Sequence, residues 1–358
     1  MAVQSPESPS IGSPETQELM SLYSERGDDL MDIDIRAHEL VAEKYLKTNR
    51  PHEAIKHLLR ILPVKKQARR IKFTLATACL ESGKYSDAEA LFDDLLDEDV
   101  SDSLQPKIAA RYGLVLFYRD KIQESMKRLH QAADRYPECA EAACYLGQVE
   151  ASLHTPSPRA ESLFVKAIRI DPLYVDARYQ QARYFMNLNQ FLRSRDSLRA
   201  ILRIDPLHVK THSRLGMAYY YLEEPEAAKK SYETALTLNP YDFNTHYNLG
   251  ELYYTFYNDP NRAAREFKRA LEIVPGHAEA NFKTGLICLE NQQNKEAARY
   301  LQKACKKEPS NVRFLLQLAV AYERLGMNDK ALSAYQSIVQ VDALNHIAQQ
   351  KIKLLSSG

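Results

Sequence analysis

Six prolines, Pro137, Pro172, Pro206, Pro240, Pro275 and Pro309, recur at intervals of 35, 34, 34, 35 and 34 residues. A beat of that length is the mark of a helical repeat array, in which each unit buries its apolar face only against its neighbours. It displaces the reading that 358 residues would otherwise invite, two or three globular domains each closed around one core. The expectation is an all-α chain of stacked helical hairpins.

The repeat is legible down to single positions. In SRLGMAYYYLEEPEAAKKSYETALTLNP, the first helix carries Leu215, Gly216 and Tyr219, the second Ala228, Tyr232 and Ala235, and Pro240 closes the unit. Spacings of three and four put each set on one helical face. Pro225 falls in the turn between the helices, where a missing N–H costs little. Pro240 pushes Asn239 out of the helical region and turns the chain into the next unit. Five of the eleven glycines (Gly113, Gly147, Gly216, Gly250, Gly285) stand 24 or 25 residues before a repeat proline, inside first helices. Gly in a helix interior costs ~1 kcal/mol relative to Ala. Its recurrence there predicts helices packed too closely to admit a Cβ.

The neighbouring units repeat the pattern with Leu249, Gly250, Tyr253, Ala263, Phe267 and Ala270, then Gly285, Ala297, Leu301 and Ala304, and upstream with Leu146, Gly147, Ala160, Phe164 and Ala167. Ala182, Phe185, Leu198 and Ile201 mark a weaker unit, and Tyr322, Gly326, Ala331 and Tyr335 a last one, with Ala343 where proline would stand. The pattern resembles the tetratricopeptide repeat, a 34-residue helical hairpin. The resemblance implies a right-handed superhelical solenoid of about nine hairpins over residues 35–345. Residues 346–358 are read as a capping helix, with Ile347, Ile352 and Leu355 as its apolar stripe. Two units are one residue longer, and the surplus is expected in their inter-helix turns, at His154–Pro158 and Asn258–Pro260. Residues 1–16, Ser/Pro-rich with three Ser-Pro steps, are expected to be disordered, and 17–34 to form a lead-in helix.

Catalytic and metal constellations with convincing spacing are missing from the sequence. His208, His212 and His246 invite a metal reading, but the resemblance assigns His212 and His246 to a bulky packing position of the first helix. The five cysteines are odd in number and never in a CxxC pair, which favours a reducing compartment over a disulfide framework. Neither a GxSxG nucleophile motif nor a phosphate-binding glycine loop is present. The expectation is a protein that is not an enzyme and uses no cofactor and no metal. The net charge of +1 provides no field to recruit nucleic acid. The basic run of Lys65, Lys66, Arg69, Arg70 and Lys72 is followed by an acidic one from Asp93 to Asp102, and is read as a solvated helix start near an acidic neighbour. No apolar run approaches the ~20 residues that span a bilayer, and the opening MAVQSPESPSIGSPETQ, with no basic region followed by an apolar core, is not expected to act as a secretory signal. The cytoplasm is the expected compartment, the nucleus the alternative.

What remains is recognition of protein or peptide segments. In an array of this kind the first helix of each unit lines a concave groove. Sequence phase places Tyr179, Arg183, Arg214, Tyr220, Tyr247, Asn248, Glu251, Tyr254 and Lys283 on that face, in register with Arg111 and Tyr145 and, one turn earlier, Glu141, Glu279 and Arg313. Arg and Tyr dominate binding hot spots because they combine area with directed hydrogen bonds. Some chaperone-binding members of the resembled family grip a C-terminal carboxylate with Lys and Asn of one unit, Asn of the next, and Lys and Arg of the third. Asn248 matches the middle Asn, but Ser213 and Met217 precede it and Glu279 and Lys283 follow, so that use is disfavoured. The functional expectation is a non-enzymatic scaffold or adaptor. The alternative is a structural subunit of a larger assembly, packing through its convex faces and ends.

Overall fold

The structure, a computed structural model, describes residues 32–47, 50–62, 68–98 and 102–356. The Ser/Pro-rich tail, most of the lead-in segment, Lys65 and Lys66 lie outside these residues. Among the described residues the chain is all-α, with nineteen helices and no strand. It divides into two compact units, Met1–Ala218 and Tyr219–Gly358.

The first unit contains α1 (Asp32–Lys47), α2 (Pro51–Ile61), α3 (Ala68–Glu81), α4 (Tyr85–Asp97), α5 (Gln105–Tyr118), α6 (Ile122–Arg135), α7 (Ala140–Leu153), α8 (Pro158–Ile170), α9 (Val175–Asn187) and α10 (Phe191–Ile204). The boundary between the units falls within α11 (Val209–Tyr221). The second unit continues with α12 (Pro225–Leu238), α13 (Phe243–Thr255), α14 (Pro260–Ile273), α15 (Ala278–Glu290), α16 (Asn294–Lys307), α17 (Val312–Arg324), α18 (Asn328–Val341) and α19 (His346–Ser356). Consecutive helices pack as hairpins, α1 on α2 through α9 on α10 in the first unit and α13 on α14 through α17 on α18 in the second.

Small and bulky residues alternate as the sequence predicts. A Cβ on Gly113 would stand 2.6 Å from Leu129 Cγ, on Gly250 2.7 Å from Phe267 Cε1, and on Gly285 2.7 Å from Leu301 Cγ. The glycines therefore let the second helix of each hairpin press onto the backbone of the first. Each second helix answers with one bulky residue at a fixed phase. Leu58, Phe92, Leu129, Phe164, Leu198, Tyr232, Phe267, Leu301 and Tyr335 are all at most 1% exposed. Where the repeat usually has Ala, Ser125 and Ser194 instead donate to the first-helix carbonyls of Gly113 (2.7 Å) and Ala182 (2.9 Å).

The turns are as periodic as the core. Inside the hairpins, a residue at positive φ ends the first helix: Gly83, Asp120, Asn189, Glu223, Asn258, Gln292 and Gly326. In six of these turns the following N–H reaches back five residues, as from Lys121 to Leu116 O (2.9 Å) and from Gln293 to Cys288 O (2.7 Å), the Schellman closure of a helix end. Asp259 reaches back six, to Tyr253 O, so the extra residue of that unit sits in the turn. Between hairpins, Asp171, Asp205 and Asn239 take extended conformations ahead of their prolines. Their side chains accept the N–H two residues on, from Leu173, Leu207 and Tyr241. Asp342 makes the same turn although Ala343 follows it.

A second device closes these turns from the other side. His212 and His246 place Nε2 2.8 and 3.0 Å from the carbonyls of Pro206 and Pro240, and Asn281 Nδ2 donates to Pro275 O at 3.0 Å. Arg178 does the same to Pro172, and Gln349 to Ala343. The position read from sequence as a packing site is thus a hydrogen-bonding brace, six residues after the proline. In α19, Ala348 is fully buried and Ile352 and Leu355 pack on the core beside it, but Ile347 is 59% exposed. The stripe runs Ala348–Ile352–Leu355, and Ile347 points away from it.

Candidate functional site

Because the second helices carry the deepest bulky residues, the first helices supply the face left for polar groups. In the second unit, α13 and α15 bring four of the expected residues into one half-buried patch. Lys283 Nζ pairs with Glu251 at 3.0 Å and lies over the Tyr254 ring, 5.7 Å from its centroid. Tyr254 Oη donates to Glu290 at 2.8 Å, and that bond, with partial burial, pushes the phenol up to about 12. It stays a neutral donor at any physiological pH. Tyr247 sits among Phe243, Phe267 and His277, and burial raises its pKa as well. Tyr220 donates to Thr255 Oγ1 at 3.2 Å and meets Phe256 edge-on. Asn248 is half-buried on α13.

In the first unit, Arg214 lies 5.9 Å over the Tyr179 ring, whose edge also meets His208. Arg183 donates to Gln180 Oε1 at 2.9 Å. Much of the rest of this face is closed. Along α7, Glu141, Tyr145, Gln148 and Glu150 are each at most 7% exposed. Arg111 on α5 donates from Nε and an Nη to the two oxygens of Glu141 (2.8 and 3.1 Å), bonds Thr77 Oγ1 on α3 and stacks on Phe73. Burial works against its charge, but Glu141 holds it firmly protonated. Of two groove positions expected from sequence phase, Arg111 is therefore consumed in holding first helices together and Tyr145 is buried.

The same ladder recurs between successive first helices: Glu251 to Lys283, Glu279 to Arg313, and Glu323 to Lys351. Sequence phase located Glu251, Lys283, Glu279 and Arg313 but not their pairing, because partners 28 to 34 residues apart meet only through the stacking of hairpins. The basic and acidic runs pair likewise. Arg69 donates to Glu98, Asp102, Gln105 and the Leu95 carbonyl, and Lys72 joins Glu98.

His208 bonds Thr211, His212 and His246 bond the carbonyls of Pro206 and Pro240, and His246 also bonds Glu266; no group of three His, Cys, Asp or Glu among the described residues has metal-binding geometry. Burial raises the pKa of all five thiols, Cys79 to about 12 and Cys305 to about 11, which leaves no activated nucleophile among them. No described helix is long and apolar enough to cross a membrane.

Models of the tetratricopeptide repeat match residues 42–103, 209–242, 258–307 and 288–353, together more than half of the chain. The chain belongs to the tetratricopeptide repeat family, whose repeats generally serve as non-catalytic protein-interaction domains. Among solved structures, the APC/C hetero-tetramer Cut9–Hcn1 is 14% identical, over 95% of this chain and 73% of that one, with a TM-score of 0.57. PilF of Pseudomonas aeruginosa is 18% identical, over 62% and 98%, with a TM-score of 0.52. YrrB, described as a TPR protein with an unusual peptide-binding site, is 20% identical over 53% and 97%, with a TM-score of 0.46. At these identities the likeness is one of fold. No curated protein matches the sequence.

Proposed function

We propose that this protein is a non-enzymatic scaffold that holds an extended or helical protein segment along the first-helix face of its repeats, in the cytoplasm. The observation that carries the reading is the patch on α13 and α15, where Tyr247, Glu251, Tyr254 and Lys283 are half-buried and held by one another or by their neighbours. Side chains already fixed in place lose little entropy when a partner lands on them. Phenol, carboxylate and ammonium side by side also offer a segment both area and directed bonds. Affinity would accumulate from modest contacts spread over several repeats.

The test is a pull-down from native lysate with Tyr220→Ala/Tyr254→Ala beside the unaltered chain, with helicity checked by circular dichroism. Capture of the same partners at the same yield by the folded double variant would refute the assignment.

A second reading, a structural subunit that packs through its ends, is favoured by Leu344, Ile347 and Leu354, which are 77%, 59% and 68% exposed around α19. Light scattering over a range of concentrations separates the two, since end-packing predicts a mass that grows with concentration.

A further inference from the structure

Where α5, α7 and α9 approach one another, a buried polar group without a partner coincides with a cavity. A cavity of about 240 Å³ lies at the C-terminal ends of these helices, and Tyr118, Gln148, Ser152, Gln180, Arg183 and Asn187 are among the residues that line it. Two features of its wall point to a ligand. Gln148 is 7% exposed, and its amide nitrogen donates to Tyr118 Oη at 2.6 Å, yet its buried carbonyl oxygen has no hydrogen-bond partner among the described residues. An acceptor stranded in that way carries an unpaid desolvation cost until a donor arrives.

The second feature is Arg183. Its hydrogen bond goes to a neutral amide, Gln180, and among the described residues no carboxylate lines the cavity. Other arginines of this unit are matched to acids, Arg111 to Glu141, Arg159 to Glu150 and Arg193 to Glu161. A guanidinium carries five donors in a planar fork and takes a carboxylate with two parallel bonds. Arg183 uses little of that capacity on the protein itself.

We propose that this cavity receives an acidic side chain, Asp or Glu, from an extended protein segment. The carboxylate lies against Arg183, and a main-chain N–H of the segment supplies the donor that Gln148 lacks. The volume fits this occupant, because it falls below the ~300 Å³ at which sites for drug-sized molecules begin. Charge complementarity selects the residue type, since among the described residues the one charged group of the wall is a cation and its other polar groups are neutral amides and hydroxyls. The inference rests on the segment-binding reading and names what the first unit would select.

The test uses three rhodamine-labelled, C-terminally amidated peptides, Gly-Ser-Xaa-Ser-Gly with Asp, Asn or Lys as Xaa, titrated into the full chain and followed by anisotropy. The Asp peptide should bind about tenfold tighter than the Asn peptide, the effect of one charge-assisted hydrogen bond, and the Lys peptide weakest. Arg183→Gln should bring the Asp and Asn peptides level, and Arg183→Glu should reverse the order to favour Lys, with both variants melting as the parent does. Equal binding of Asp and Asn peptides by the unaltered chain, no binding of any of the three, or an unchanged order in Arg183→Glu would overturn the proposal. If the Asp preference fails while capture that depends on Tyr220 and Tyr254 persists, this assignment alone falls. If both fail, the segment-binding reading falls with it.

Discussion

Gly250 shows how much one residue decides in a repeat of this kind. Its missing side chain leaves room for the Phe267 ring, and a Cβ there would lie 2.7–3.1 Å from three ring atoms. Gly250→Leu should therefore overpack the α13–α14 hairpin and cost about 1–3 kcal/mol, visible as a lower denaturant midpoint, even though Leu is the better helix former. The need for glycine at this position was readable from its 34–35-residue recurrence. The left-handed turn positions were not. Gly83 and Gly326 announce themselves, but Glu223 and Gln292 adopt the same backbone with side chains that point to no particular conformation. An L-residue in that region costs ~1–2 kcal/mol. Gln292 is exposed at a φ of 60°, so Gln292→Gly should stabilise the protein, by about 0.5–1 kcal/mol once the extra entropy of glycine in the unfolded chain is subtracted. Urea unfolding of the variant beside the parent measures the difference.

At the scale of elements, the joints between hairpins hold the polar chemistry. Arg69, at the start of α3, has only 14% of its side chain exposed and reaches Glu98 at the end of α4 and Asp102 and Gln105 ahead of and within α5. Partial burial acts to raise the two carboxyls, but hydrogen bonds from Arg69 outweigh it and hold both below their usual range. A carboxyl depressed in the folded state contributes stability above its unfolded pKa of ~4, and that contribution is lost as pH falls through the folded value. Arg69→Met should then cost ~1–3 kcal/mol at neutral pH, and the deficit should shrink below pH ~4 as parent and variant converge. Thermal melts of both chains between neutral and acid pH provide the comparison. In the sequence the basic and acidic runs were plain, but their union was not, since a run of like charges reads as a solvated face until the fold brings its opposite within reach. Arg111 and Glu141 repeat the lesson on α5 and α7, where two groove positions were legible and their mutual cancellation was not.

For the whole molecule, the same economy of contact makes each end of the array matter. In the second unit α19 covers the last hairpin with Ala348, Ile352 and Leu355. Deleting residues 343–358 should expose that core, lower stability by on the order of 2–4 kcal/mol and raise hydrogen exchange in α17 and α18 before the rest of the chain. Exchange mass spectrometry of the shortened protein reads both the size and the spread of the effect. The hairpins, their order, the proline-led turns and the close-packed glycines followed from the sequence alone, because they depend on contacts within some 35 residues that recur at a fixed period. Tertiary structure alone decided which inner-face side chains stay available. That outcome depends on how closely successive first helices stack, and the stacking pairs Arg111 and buries Tyr145 while leaving Arg183 facing a cavity without a counter-charge.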